Sequence, residues 1–384
     1  MFKHFDLHLP TPDFKDPIVA KIIELEKLRG NQINLGVNNK LFNQLKEIFH
    51  SVESLYSARI EGNRTTISDY VQDKSGDGRK SQPITEILNI EKAMRFVDNC
   101  FRENIDQKID ASLISTLHQM LTSDLDVSRE GSKTPGIYRS NNVEIKNAEF
   151  TPPMNIKVPE YMDELISFIN SETSTQEELL KVAIAHHRFV WVHPFDNGNG
   201  RMSRILTYAM LKKARFDKIS LLNPAAVFCI NREQYFTNLA KADTGTEDGL
   251  LEWCRFVLSG LFSELTKLRR LLDGTYFRSS ILKPAVGYAS SHELILEDEA
   301  KILNLSISND DNLIMARDIA EILPERTSRQ ITYIINKMID NDLLQKETNT
   351  ARKYLINLHH KHIMRGIIER LSIEGFTEHL DSVS

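Results

Sequence analysis

The feature that most constrains this 384-residue chain is the spacing of its apolar residues. They recur at steps of three and four along most of its length, the signature of helices that each bury one stripe. Strand-like alternation is confined to short runs. The pattern predicts helices over 17–29, 42–61, 84–101, 110–121, 158–170 and 177–192, with Gly30 stopping the first and the pair Gly62-Asn63 as a left-handed end of the second. The polar stretch 73–83 reads as a loop, and 134–153 as a small hairpin with β-favouring runs bounded by Gly and paired prolines. Leu251, Cys254, Leu258, Leu261, Leu265, Leu268 and Leu272 form a seam that can mate within the chain or between two copies, with core packing the weightier reading. From about residue 297, two helical runs joined by the turn PERT and two strand-like runs (LLQKE, RKYLIN) predict a winged helix-turn-helix.

Composition narrows the function classes. At 41% hydrophobic and 26% charged, the chain is neither disordered nor low in complexity. Its 48 basic and 53 acidic residues give −5, so no bulk attraction to nucleic acid or anionic lipid is built in. Residues 313–358 hold seven Lys/Arg against six Asp/Glu, so DNA binding by the C-terminal part must rest on a local patch of Arg326, Arg329, Arg352 and Lys353. Protein recognition is at least as well supported. Cys100, Cys229 and Cys254 are odd in number and far apart, which argues against a disulfide framework or zinc ribbon and for reduced thiols in the cytoplasm. A basic-then-apolar leader and an eighteen-residue apolar span are both missing from the sequence, so no membrane partner is expected.

The densest signal is VWVHPFDNGNGRMSR, residues 190–204. An apolar helix ends at Pro194, a Gly-Asn-Gly loop follows, and a second helix buries Met202, Ile205, Leu206, Ala209 and Met210. The first turn of that helix offers unpaired N–H groups and a positive dipole end, and Gly198 and Gly200 let a ligand come close to the backbone. That is an anion cradle. Arg201 and Arg204, spaced i and i+3, can reach one polyphosphate, and His193 at the mouth is suited to act as a general base on an incoming hydroxyl. Each part alone is commonplace; their clustering within twelve residues is not something core packing requires.

HPFDNGNGRMSR resembles the signature of the Fic family, H-P-F-x-[D/E]-G-N-G-R-x-x-R. The resemblance implies a mostly α fold, a Fic-type helical bundle with a small β-hairpin flap, joined here to the C-terminal winged helix-turn-helix. It implies domains at 1–105 (inhibitory region), 106–273 (catalytic core), 274–296 (linker) and 297–384. It further implies transfer of AMP from ATP to a protein hydroxyl, with His193 as base, Phe195 packing the loop, and Gly198, Asn199 and Gly200 holding phosphates. Arg201 and Arg204 would take the outer phosphates, and Tyr235 would line the base. PGIYR (135–139) and the hairpin around Val143 to Phe150 resemble the flap on which a target Ser, Thr or Tyr segment docks by strand addition. Where the family carries the acid that holds Mg²⁺, this chain has Asn197, with Asp196 one place earlier, so weaker Mg²⁺ binding or a preference for Mn²⁺ is expected.

SARIEGN (57–63) resembles the family's inhibitory motif. Ser57 and Glu61 lie i, i+4 on one helix face, and a carboxylate in a last helical turn needs a cation to meet it. By resemblance that cation is Arg204, and the pair would take the place of the γ-phosphate. Two further classes compete with the transferase: a winged-helix regulator or scaffold with a nucleotide-sensing core, and a metal hydrolase built on His186, His187 and His193, whose spacing matches no known ligand pattern. Within the Fic reading, another nucleotide as donor, or removal of AMP, stays open.

Overall fold

Steps of three and four become helix almost everywhere that they occur, and caps set where each helix stops. The computed structural model describes residues 4–30, 38–75, 78, 80–145, 150–216, 224–348 and 350–377. In chain order, the helices are α1 (Pro17–Gly30), α2 (Asn39–Ile60), α3 (Ile67–Ser75), α4 (Gln82–Glu103), α5 (Ala111–Thr122), α6 (Val158–Asn170), α7 (Thr175–Val192), α8 (Asn199–Lys213), α9 (Pro224–Cys229), α10 (Arg232–Ala242) and α11 (Glu247–Leu271). There follow α12 (Gly274–Tyr276), a π-helical turn at Phe277–Leu282, α13 (Lys283–Ser291), α14 (Glu297–Ser308), α15 (Ala316–Ile322) and α16 (Ser328–Asp340). Strands β1 (Leu344–Lys346) and β2 (Tyr354–Ile356) and helix α17 (Lys361–Ile373) complete the described chain.

Two compact units divide the chain: Met1–Gln32, Glu53–Thr65 and Arg79–Thr266 form the first, and Ile33–Val52, Thr66–Gly78 and Lys267–Ser384 the second. In the first unit α7 packs between α8 and α6, and α4 packs on α5 and α8. Leu117, Phe189, Trp191, Phe195, Met202 and Leu206 are fully enclosed there, each adding about 1.5–3 kcal/mol of burial. This packing fixes the α7–α8 junction. In the second unit α13 packs on α17 and α14, α3 packs on α17, and α15 packs on α16. β1 and β2 pair antiparallel in the register Leu344↔Ile356, and Ile314 bridges Tyr354 at the sheet edge.

Several expectations meet the structure directly. The seam from Leu251 to Leu272 is buried within the chain, so core packing accounts for it. Residues 274–291, where the sequence pattern weakens, are helical, with Phe277, Ile281, Leu282, Ala285 and Val286 buried. Part of the loop expected at 73–83 belongs to α3 and α4. The hairpin expected around 143–150 falls partly on 146–149, outside the described residues; the described residues on either side, 141–145 and 150–154, carry no strand. Among the described residues no helix is long and apolar enough to cross a membrane.

Candidate active site

α7 begins with a capping box in which Ser174 and Glu177 each accept the other's backbone N–H, and it ends at Val192. His193 then turns left-handed at φ 50°, a conformation that costs a side-chain-bearing residue about 1 kcal/mol. Arg139 holds that turn. Its Nε donates to the His193 carbonyl at 2.8 Å and its Nη2 to the Pro153 carbonyl at 2.6 Å, while its own N–H reaches the Pro194 carbonyl at 2.8 Å. Nη2 also reaches the Val192 carbonyl at 3.4 Å, so the buried guanidinium serves two carbonyls at the end of α7, those of Val192 and His193. The imidazole of His193 faces the Val190 carbonyl through Nδ1 at 3.3 Å, which places the proton on Nδ1 and leaves Nε2 free to accept one. Burial pushes its pKa down to about 4, so it is neutral at pH 7.

The loop between His193 and α8 is pinned by its own side chains. Asn199 accepts the Phe195 N–H and donates to the Phe195 carbonyl, both at 2.9 Å. Phe195 is wholly buried and stacks on His118, with centroids 3.7 Å apart. His118 accepts the Gly136 N–H on Nδ1 and so donates from Nε2 to the Asn197 carbonyl at 3.0 Å. Gly198 sits at φ 75°, a left-handed position that glycine adopts freely, just before α8. A strap from residues 129–133 lies against the same loop. Asn197 Nδ2 donates to the Arg129 and Gly131 carbonyls at 2.7 and 3.0 Å, and Asp196 accepts from the Ser132 hydroxyl and the Lys133 N–H.

Both arginines meet carboxylates. Arg204, 2% exposed, donates to Ser57 Oγ at 2.8 Å, the Ser57 carbonyl at 3.1 Å and Glu61 Oε1 at 2.6 Å. The structure thus joins Ser57, Glu61 and Arg204, the three residues that the sequence set together. Burial opposes ionisation of Glu61, but Arg204, helped by Arg201 and Arg232, outweighs it and holds the carboxyl below its usual range. Gly200 makes room for this contact: a Cβ there would stand 2.2 Å from Glu61 Oε1. Arg201 donates through Nη2 to the Glu130 carbonyl at 2.7 Å and to Glu130 Oε2 at 2.9 Å. Glu86 Oε1 lies 3.6 Å from Arg201 Nη1, and the other oxygen of Glu86 accepts from Asn63 at 2.8 Å.

Tyr235 is 2% exposed, with its hydroxyl against His186 Nε2 at 3.1 Å, while His186 Nδ1 meets Thr207 at 2.7 Å. His187 pairs with Asp243 instead, at 2.9 Å. The three histidines considered for a metal hydrolase therefore serve three separate partner sets, and no group of metal-binding side chains is found among the described residues. Asn197 and Asp196, the residues considered for Mg²⁺, do not fit the ion as arranged. The amide nitrogen of Asn197 faces two carbonyls, its oxygen takes the Gly198 N–H, and both Asp196 oxygens are engaged.

Sequence reasoning missed His118, Glu86 and Glu130, and it named the stretch holding Arg139 without the role. These come from α4, α5 and the connections after α5, and nothing in their local spacing announces the loop they touch. A weak signal existed in Gly136 and Gly131, where a Cβ would stand 2.6 Å from Ser115 Oγ and 2.3 Å from the Leu125 carbonyl respectively.

A helical bundle with a buried, doubly charged loop at a helix junction is the class that this geometry defines. Residues 108–211 match the Fic/DOC family, and the protein carries a Fic domain. Protein adenylyltransferase fic-1 of Caenorhabditis elegans is 25% identical over 169 residues, 44% of this chain and 31% of that protein. The protein adenylyltransferase Fic of Drosophila melanogaster is 28% identical over 207 residues, 52% of this chain and 37% of its own length. A probable protein adenylyltransferase of Aquifex aeolicus is 28% identical over 193 residues, 50% of this chain and 55% of its own. The matches therefore span from 31% to 55% of these relatives' own lengths. The solved structure of a Fic family protein from Desulfovibrio desulfuricans G20 covers 91% of this chain and 98% of its own, with TM-score 0.56 and 18% identity, which speaks for the fold.

Proposed function

We propose that this protein transfers AMP from ATP to a hydroxyl side chain of a target protein, and that Glu61 holds it inactive by occupying Arg204. The observation that carries the reading is His193. Its Nδ1 is committed to a backbone carbonyl, its ring is neutral at pH 7, and Nε2 has no hydrogen-bond partner among the described residues. It stands one short loop ahead of the α8 N-terminus, where Gly198, Asn199, Gly200, Arg201 and Arg204 line an anion cradle.

In the reaction, Nε2 removes the proton from the target hydroxyl as that oxygen attacks the α-phosphorus. The bond from phosphorus to the β-phosphate oxygen breaks, AMP stays on the target, and pyrophosphate leaves. Backbone N–H groups of α8 and the two guanidiniums offset the charge that builds on the phosphates. With Glu61 on Arg204, a triphosphate tail lacks that arginine and binds out of line. Exposed Ile137, Met154 and Ile156 on the segments around 143–150 support docking of the target there.

Mass spectrometry after incubation with each nucleoside triphosphate tests the reading. The Glu61→Gly protein should gain the mass of one AMP from ATP, the parent far less, and Glu61→Gly combined with His193→Ala none. A Glu61→Gly protein no more modified than its parent refutes the inhibitory clamp, and modification that survives His193→Ala refutes the base.

A further inference from the structure

Arg201 is 1% exposed, yet its side chain is only partly satisfied. Nη2 carries both of its hydrogen bonds, to the Glu130 carbonyl and to Glu130 Oε2, whereas Nε and Nη1 are buried without a hydrogen-bond partner. Glu86 at 3.6 Å is beyond hydrogen-bond range, and burial raises its pKa against the pull of Arg201. Nη2 is also the nitrogen next to the α8 cradle: a Cβ on Gly198 would stand 3.6 Å from it. The Glu130 carboxylate therefore sits on the donor that a phosphate at the helix start would use.

Two properties separate this contact from a fixed structural ion pair. The Glu130 side chain is 38% exposed and can swing into water, whereas Arg201 stays buried beside Glu86. Its backbone carbonyl, 2.7 Å from Nη2, keeps Arg201 in place whatever the side chain does. We propose that Glu130 sets the selectivity for the nucleotide's phosphate tail: its carboxylate occupies Arg201, and only a nucleotide whose outer phosphates displace it gains that arginine. The proposal rests on the cradle reading of the preceding subsection. It makes Glu130 an electrostatic counterpart of Glu61, set on the other arginine and released by ligand charge.

Isothermal titration calorimetry of the full-length Glu61→Gly protein, with and without Glu130→Gln, tests it using ATP, ADP and AMP. Removing the carboxylate should tighten ATP about fivefold, the upper range for a half-exposed ion pair, and leave AMP unchanged. Glu130→Ala should behave the same, because the carbonyl still positions Arg201. Equal tightening of ATP and AMP overturns the proposal, as does unchanged or weakened ATP binding; AMP transfer by the Glu61→Gly protein, scored separately, would then still stand. If neither protein binds ATP, the cradle reading and this proposal fall together.

Discussion

Asn197 shows how one side chain can decide whether a loop serves an ion or a neighbour. Its amide nitrogen points at two carbonyls of the 129–133 strap, and an aspartate there would set a carboxylate oxygen against them. Asn197→Asp, the change toward the family's common residue, is therefore expected to destabilise the protein by about 1–3 kcal/mol, the cost of leaving buried polar groups unpaired. Chemical denaturation measures the loss. An Asp variant as stable as its parent, and further stabilised by Mg²⁺, would show that the loop rearranges into a metal site. The residues of HPFDNGNGRMSR were legible in the sequence because they are contiguous and chemically conspicuous. His118, Glu86 and Glu130 were not, because each reaches the loop across a packing interface, and no local pattern encodes such a meeting.

At the scale of elements, legibility followed periodicity. α4, α5, α6 and α7 carry long apolar stripes, and their predicted bounds differ from the observed ones by only a few positions. α3 escaped notice because it is short and buries only Ile67, Tyr70 and Val71, too few steps to establish a period. The helices over 274–291 were obscured by Gly274, Pro284 and Gly287, residues that usually mark turns but here open α12, sit in the first turn of α13 and lie within α13 respectively. α7 presents His193, so its stability bears on the site. Ser174→Ala removes the capping-box acceptor and should cost about 1 kcal/mol, read as a lower denaturation midpoint. The chemistry lies at the other end of the helix, so AMP transfer at a temperature where the variant is folded should match that of the parent; a stability equal to the parent's would show that the box is idle.

For the whole molecule, buried titratable groups pull stability in two directions. His118 and His193 have pKa values pushed down to about 4 by burial, and that of His186 lies well below its ordinary value. From pH 6.5 down to 4 the unfolded chain takes up protons that the folded one refuses, so stability falls with acidification. Glu53 works the other way: burial pushes its pKa up to about 8, the folded state keeps that proton, and its contribution is lost as pH rises from 4.5 to 8. Stability should therefore peak near pH 6.5, and Glu53→Gln should flatten the fall from pH 6.5 to 8 while steepening the rise from 4.5 to 6.5. Denaturant midpoints across this range decide it; a parent that keeps gaining stability from pH 6.5 to 8 contradicts the assignment. The division of the chain carries a different consequence. Neither unit is an unbroken stretch of sequence: α3 packs on α17, and Gln44 of α2 bonds the Ile356 carbonyl and the Leu358 N–H. A cut near Leu272 would thus not excise a self-sufficient module but orphan Leu41, Ile48 and Tyr70 from the surroundings they are sewn into, so any transplant of the C-terminal portion as a cassette must bring Ile33–Val52 and Thr66–Gly78 with it.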